Sequence, residues 1–477
     1  MKLLVLGIDG LGEESLSKMK LNRLAGLISK GKKANPSVDN IVSRGWPEIY
    51  SGATAYETGA FFQIPHLLKN KICPTQKTGA NVVSNHIGED ELLWSRLRKL
   101  GYRVGLFGLP TVTTSQTTCE FSFPATGAGQ FKNSTNSNGV YPADLASLAD
   151  YSKSNSGLRI GQGAFLPKSS DELARWLRDH LSQYFYTLRQ TLRRNDVNAL
   201  ILGTRFVTLF YKFRHILSSE LTDPEDINLK KVLLDAAEEF DYELVKFIEE
   251  ANPEELFIVS DHGLGELRYH VTINEVLREL GCINYKPLVS RAAKQAARKV
   301  RDIYKGRKAN YYPDFDYDNS SAFSIGYTDV IYINDARFKG PEMSDESRYE
   351  RAVKLSKELT SYVATQGYDQ FVAFEPIKSS GWTDPIETNA DPIPLPDIRC
   401  VLAEGCVNLQ RTNGNVVEKN EPYYAEEMYK KGFFAEHSGC KTNDTIAAYI
   451  GSDRQPFKPQ SLTDLYIEIL RVAGSTS

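Results

Sequence analysis

Short apolar runs alternate with longer amphipathic stretches along this chain. That alternation predicts an α/β fold built on a mostly parallel central sheet flanked by helices. The runs that read as strands are 3–8, 103–107, 198–203, 256–260, 330–334 and 446–450. Between them, Asp90 to Lys99 reads as a helix stopped by Leu100-Gly101. Ser170 to Arg194 places Leu173, Trp176, Leu177, Leu181, Phe185 and Leu188 near helical spacing. Leu229 to Glu250 repeats the pattern with Leu233, Leu234, Ala237, Phe240, Leu244 and Phe247. Two stretches break the rhythm: 125–170 is rich in Gly, Ser and Asn, and 376–425 in proline and irregular polarity. The expected organisation is a single catalytic domain over 1–477, with cap segments at 112–170, 286–314 and 376–425. Residues 286–308 carry nine Lys or Arg against Asp302. A basic helix there would attract an anionic substrate, although most charge runs are simply solvated faces.

Chemistry enters where two strands end. Leu3-Leu4-Val5-Leu6-Gly7-Ile8 runs into Asp9-Gly10, and Ile258-Val259-Ser260 runs into Asp261-His262-Gly263. Strand tips are where ligands bind in open α/β sheets. Two carboxylates and an imidazole gathered there would suit a zinc-like or harder divalent cation. Each tip taken alone could equally be an ordinary turn.

Between them lies Val42-Ser43-Arg44-Gly45-Trp46-Pro47. A serine just before a helical turn sits where free backbone N–H groups and the helix dipole favour a phosphate or sulfate oxygen. Arg44 adds a permanent planar cation suited to phosphate. The plainer reading of Ser43 is a helix N-cap without a catalytic role.

Composition narrows the classes. The chain of 477 residues is 41% hydrophobic and 25% charged, ordinary for a globular protein. Its net charge of −3 argues against a general nucleic-acid binder. No run of 18 apolar residues suggests a membrane span, and the apolar start carries Asp9 rather than reading as a secretory signal. Six scattered cysteines without a CxxC pair indicate neither a zinc knuckle nor a disulfide scaffold. A reduced, cytoplasmic protein is the expectation; oligomeric state is not legible.

Taken in order, Asp9, Ser43-Arg44-Gly45-Trp46 with Ser51-Gly52, Ser260-Asp261-His262-Gly263 and His437 resemble the type I phosphodiesterase/nucleotide pyrophosphatase branch of the alkaline phosphatase superfamily. Supporting phrases are Leu100-Gly101-Tyr102-Arg103-Val104-Gly105, Leu109-Pro110, Asn274-Glu275-Val276-Leu277 and Ala322-Phe323-Ser324-Ile325-Gly326. The resemblance implies an alkaline-phosphatase-like three-layer sandwich. It also implies two divalent metals and a Thr or Ser nucleophile between them. By position, Asp9, Asp261, His262 and the Ser43 oxygen would hold one metal, with Ser43 attacking phosphorus. Aligning Ser43 with the nucleophile needs a one-residue gap, because Trp46 stands one position nearer than in the family pattern.

The pattern breaks at the second metal. Its Asp-x-x-x-His segment corresponds to Thr204-Arg205-Phe206-Val207-Thr208, so the two ligand positions fall on Thr204 and Thr208. A neutral hydroxyl is a far weaker ligand than carboxylate or imidazole. His437, in Glu436-His437-Ser438-Gly439, still matches the family's distant histidine. The expectation is a metal-dependent phosphoester hydrolase with one zinc or manganese site and a degenerate second site. Ser43 would be its metal-activated nucleophile, and Arg44 and His437 would offset charge on the phosphoryl or leaving group. Its substrate would be an anionic phosphoester, with a nucleotide as one candidate. A phosphoryl transferase using the same nucleophile, and a degenerate member that only binds its ligand, are the competing readings. A sulfatase is disfavoured, since no Cys/Ser-x-Pro-x-Arg context surrounds Ser43. His270 and His215 are spare candidates, His215 being expected on the surface.

Overall fold

Every residue of strand Leu3–Ile8 is buried, which requires cover on both faces of its sheet. A computed structural model describes residues 1–38, 45–60, 63–77, 88–109, 112, 118–124, 140–148, 167–210, 213–286, 314–326, 328–383, 392–409, 414–431 and 438–476. It divides into two units, one made of Met1–Thr58, Gly79–Leu267 and Glu421–Ser477, the other of Gly59–Thr78 and Arg268–Asn420.

The first unit holds a seven-stranded sheet. Its order is Lys32–Ala34, Ala447–Ile450, Glu255–Val259, Leu3–Ile8, Ala199–Thr204, Val104–Leu109 and Phe121–Pro124. The strands from Glu255–Val259 to Phe121–Pro124 run parallel. Ala447–Ile450 joins antiparallel to Glu255–Val259, and Lys32–Ala34 antiparallel to it in turn. Alternation along Leu3–Ile8 sends Leu4, Leu6 and Ile8 to one face. There they share a core with Leu173 and Leu177, Phe240 and Leu244, and Leu24 and Ile28. These come from helices Ser170–Arg194, Pro224–Ala251 and Asn22–Ile28. On the other face, Gly7 lies under the ring of Trp46, from helix Gly45–Ser51. A Cβ at Gly7 would sit 2.5 Å from that indole, so only glycine fits. Helix Leu462–Thr476 packs on the same helix and covers this face further. Helices on both sides of a mostly parallel sheet make the three layers.

The long helices begin at local caps. Ser169 Oγ accepts from Glu172 N at 3.3 Å ahead of Ser170–Arg194. Asp223 accepts from Glu225 N at 2.9 Å, with Pro224 at the first helical position. That start lies five residues before the expected Leu229, because Asp223-Pro224 is a stronger boundary than the first periodic leucine.

The second unit contains an antiparallel four-stranded sheet in the order Ala322–Ser324, Val330–Ile333, Ile398–Leu402, Val372–Pro376. The expected strand 330–334 belongs here and not to the parallel sheet, since an apolar run does not specify which sheet it joins. The proline-rich stretch 376–425, expected to be irregular, supplies the strands Ile398–Leu402, Cys406–Asn408 and Val417–Lys419. The last two flank Tyr269–Val271 in a three-stranded sheet. The basic run after Lys286 and most of 112–170 lie outside the described residues. No described helix is long and apolar enough to cross a membrane. All six cysteines are free thiols.

Candidate metal centre

Parallel pairing aligns three strand ends. Gly7 is level with Val259, and Ile8 with Thr204. The residues that follow, Asp9, Arg205 and Ser260-Asp261-His262, therefore emerge together at the carboxyl edge of the sheet, where such folds place chemistry. Short polar ties hold this edge. Asp9 N donates to Thr204 O at 2.9 Å, Leu11 N to Ser260 Oγ at 2.9 Å, and Ser260 Oγ to His262 O at 2.7 Å. Gly10 turns the chain away with φ of +83°, a left-handed conformation that favours glycine. A Cβ at Gly263 would collide with the Asp444 carbonyl.

Asp9, Asp261 and His262 are 5%, 2% and 1% exposed, and one ligand atom from each lies within 4.8 Å of the others. His262 Nε2 is 3.3 Å from Asp9 Oδ1 and 3.6 Å from Asp261 Oδ2. Its Nδ1 is 2.8 Å from Gly263 O. A carbonyl can only accept, so Nδ1 carries the proton, and in the neutral ring Nε2 turns a lone pair toward two carboxylates. Lone pairs converging in a buried site call for a cation. Asp261 Oδ1 and His262 Nε2 have no hydrogen-bond partner, although buried polar atoms nearly always do. Two oxygen donors and an imidazole with its other nitrogen anchored on a backbone carbonyl fit a divalent metal.

Around the three ligands stand further groups. Trp46 Nε1 donates to Asp9 Oδ2 at 3.1 Å. Arg205 Nε lies 3.5 Å from the same oxygen, and Lys441 Nζ 3.9 Å from Asp261 Oδ2. Burial would raise the Asp9 carboxyl, but the positive charges around it, Arg205 foremost, outweigh it and hold it well below the usual carboxylate range. Burial, and then the charge on Asp9, push Asp261 up to about 6. Lys441 arrives because strand Gly439–Thr442 pairs antiparallel with Gly263–Glu266 directly after the Asp-His-Gly turn. Neither Arg205 nor Lys441 stands out in the sequence as a site residue. The only signal for Arg205 was its place just after a strand, the same place as Asp9.

The two threonines are adjacent to this group but committed elsewhere. Thr204 Oγ1 accepts from Phe206 N at 3.3 Å, and Thr208 Oγ1 donates to Arg205 O at 2.6 Å. Thr208 also packs its methyl against Gly10. Ser43, Arg44 and His437 lie outside the described residues. Their neighbours are placed. Gly45 packs on Asp261, where an added Cβ would meet its carbonyl oxygen at 2.9 Å. Ser438 is held at both ends, with Leu267 N donating to its carbonyl at 3.0 Å and its Oγ accepting from His215 N at 3.3 Å. His215 itself is buried, not on the surface, and burial pushes its imidazole down to about 4. His270 sits on strand Tyr269–Val271 with Nε2 3.0 Å from Asn420 Oδ1.

The model of the type I phosphodiesterase / nucleotide pyrophosphatase family matches residues 3–322. The chain belongs to that family. It is an enzyme of the alkaline phosphatase superfamily, a hydrolase of phosphodiesterase and pyrophosphatase type. Similar solved structures include murine ectonucleotide pyrophosphatase / phosphodiesterase 5, at 13% identity and TM-score 0.43, covering 99% of this chain and 95% of that one. Phosphonoacetate hydrolase from Sinorhizobium meliloti 1021 in complex with phosphonoacetate shows 11% identity and TM-score 0.47, with coverage of 99% and 96%. No curated protein matches the chain in sequence.

Proposed function

We propose that this family member hydrolyses a phosphodiester or nucleotide-like substrate, with Ser43 Oγ as nucleophile and one divalent cation held by Asp9, Asp261 and His262. The observation that carries the reading is the convergence of those three buried side chains, with Asp261 Oδ1 and His262 Nε2 left without a hydrogen-bond partner. Zinc or manganese bound there supplies Lewis acidity, which activates a coordinated hydroxyl and offsets charge on the phosphoryl group. The chain's own residues do the rest. Gly263 O fixes the His262 ring, and Trp46 Nε1 holds Asp9 in place. The placement of Gly45 against Asp261 supports Ser43, two residues earlier, as the attacking group. The placement of Ser438 supports its neighbour His437 as the group that meets the leaving oxygen. Arg44 would offset phosphoryl charge, and Thr204 and Thr208, whose hydroxyls serve their own turn, leave the second metal site degenerate. The reaction proceeds in the cytoplasm on this reading.

The test is hydrolysis of an aryl phosphodiester by zinc- or manganese-loaded protein, compared with Ser43→Ala. Activated nucleophiles contribute heavily to such reactions, so the substitution should lower kcat by at least about 1,000-fold with metal content unchanged. Turnover that survives Ser43→Ala would remove Ser43 from the reaction.

A further inference from the structure

Two buried carboxylates balance one divalent cation, so an arriving phosphoester leaves the centre net negative. Asp9 and Asp261 are both buried, and a phosphoester adds further negative charge to a site of two carboxylates. Among the described residues, the Lys and Arg side chains within ion-pair range of these carboxylates are Arg205, beside Asp9, and Lys441, beside Asp261. Both are only partly covered, with side chains 38% and 34% exposed. Arg205 follows strand Ala199–Thr204 as Asp9 follows Leu3–Ile8, so backbone register puts it on the same rim. Its Nε faces Asp9 without a hydrogen bond, and its exposure leaves the planar fork able to meet two oxygens of one phosphate.

We propose that Arg205, with Lys441 as the weaker partner, is the anion clamp of this centre, binding the phosphoryl oxygens of the substrate over the Asp9–Asp261–His262 group. The proposal rests on the reading of that group as a phosphoester site. It assigns the clamp to a residue lying between Thr204 and Thr208, so that a fixed guanidinium supplies positive charge where those two hydroxyls supply none.

The experiment titrates inorganic phosphate into the zinc-loaded full chain by calorimetry, with zinc content measured in parallel. Arg205→Met should weaken phosphate binding about tenfold or more, Arg205→Lys should recover part of the loss, and Lys441→Met should weaken binding about threefold. Zinc content should stay the same in all four proteins. Phosphate affinity within twofold of wild type in Arg205→Met overturns the clamp. So does absence of phosphate binding by the wild type, or loss of zinc together with phosphate, which would make Arg205 a support for Asp9 alone. Phosphodiester turnover separates the two readings. Arg205-dependent phosphate binding without turnover upholds the clamp and sinks the hydrolase; turnover undiminished in Arg205→Met does the reverse.

Discussion

Arg337 and Asp261 are both almost wholly buried ionisable groups, and their surroundings could hardly differ more. Arg337 Nε lies 2.8 Å from Asp335 Oδ1, and one terminal nitrogen is 2.7 Å from Asp397 Oδ2. The other terminal nitrogen donates to Leu395 O at 2.7 Å and Gly381 O at 3.2 Å. Arg348 completes the set, its Nε 3.1 Å from Asp397 Oδ1. Each acid there meets a guanidinium, and Asp397 Oδ2 also takes Ile333 N at 2.7 Å. At the strand tips of the first unit, by contrast, Asp261 leaves one oxygen unpaired and faces a second carboxylate. A closed cluster of this kind has its charges paired, so losing one partner is costly. An open one is held by the fold at a loss, which makes sense only where a ligand completes it.

That contrast can be broken by substitution. Arg337→Ala should destabilise the protein most, by about 3–5 kcal/mol, because it strands buried acids that were paired. Urea unfolding measures this, and a loss below about 1 kcal/mol would mean that the cluster is not structural. A smaller effect of opposite sign is expected at Asp329, a buried acid with Oδ1 unpaired. Burial raises its carboxyl from 3.8 to about 8, with only the Arg399 charge opposing. Between those values the unfolded chain releases its proton while the folded chain keeps it, so the wild type loses stability as pH rises. Asp329→Asn removes that loss and suits the left-handed φ of +51°. It should match the wild type near pH 4 and exceed it by about 2 kcal/mol at pH 5.5. Equal pH profiles would show that Asp329 has found a partner. The smallest effect sharpens the comparison most. Without metal, Asp261→Asn should stabilise by about 1 kcal/mol, since it relieves two like charges held together. Added zinc should then raise the melting temperature of the wild type but not of the variant. A variant less stable than the wild type in chelator would show the open cluster to be closed after all.

Much of the first unit was legible because its physics is local. Leu3–Ile8, Ala199–Thr204 and Glu255–Val259 are buried on both faces and so read as unbroken apolar runs ending in polar residues. Asp9 and Asp261-His262 could be picked out from those endings. Arg205 could not, because one arginine after a threonine carries no pattern until the register sets it level with Asp9. Lys441 was hidden in a four-residue strand, Gly439–Thr442, with no apolar run to announce it. The second unit was the least legible. Arg337, Arg348, Asp335 and Asp397 look like surface residues in sequence, and only long-range pairing of Val330–Ile333 with Ile398–Leu402 brings them together.

The candidate centre draws on chain positions from 9 to 441. A nascent polypeptide therefore carries Asp9 long before Lys441 has been made, and the rim is complete only once position 441 has left the ribosome. Metal uptake during synthesis would thus precede anion capture, because Asp9, Asp261 and His262 are all made before Lys441 joins them.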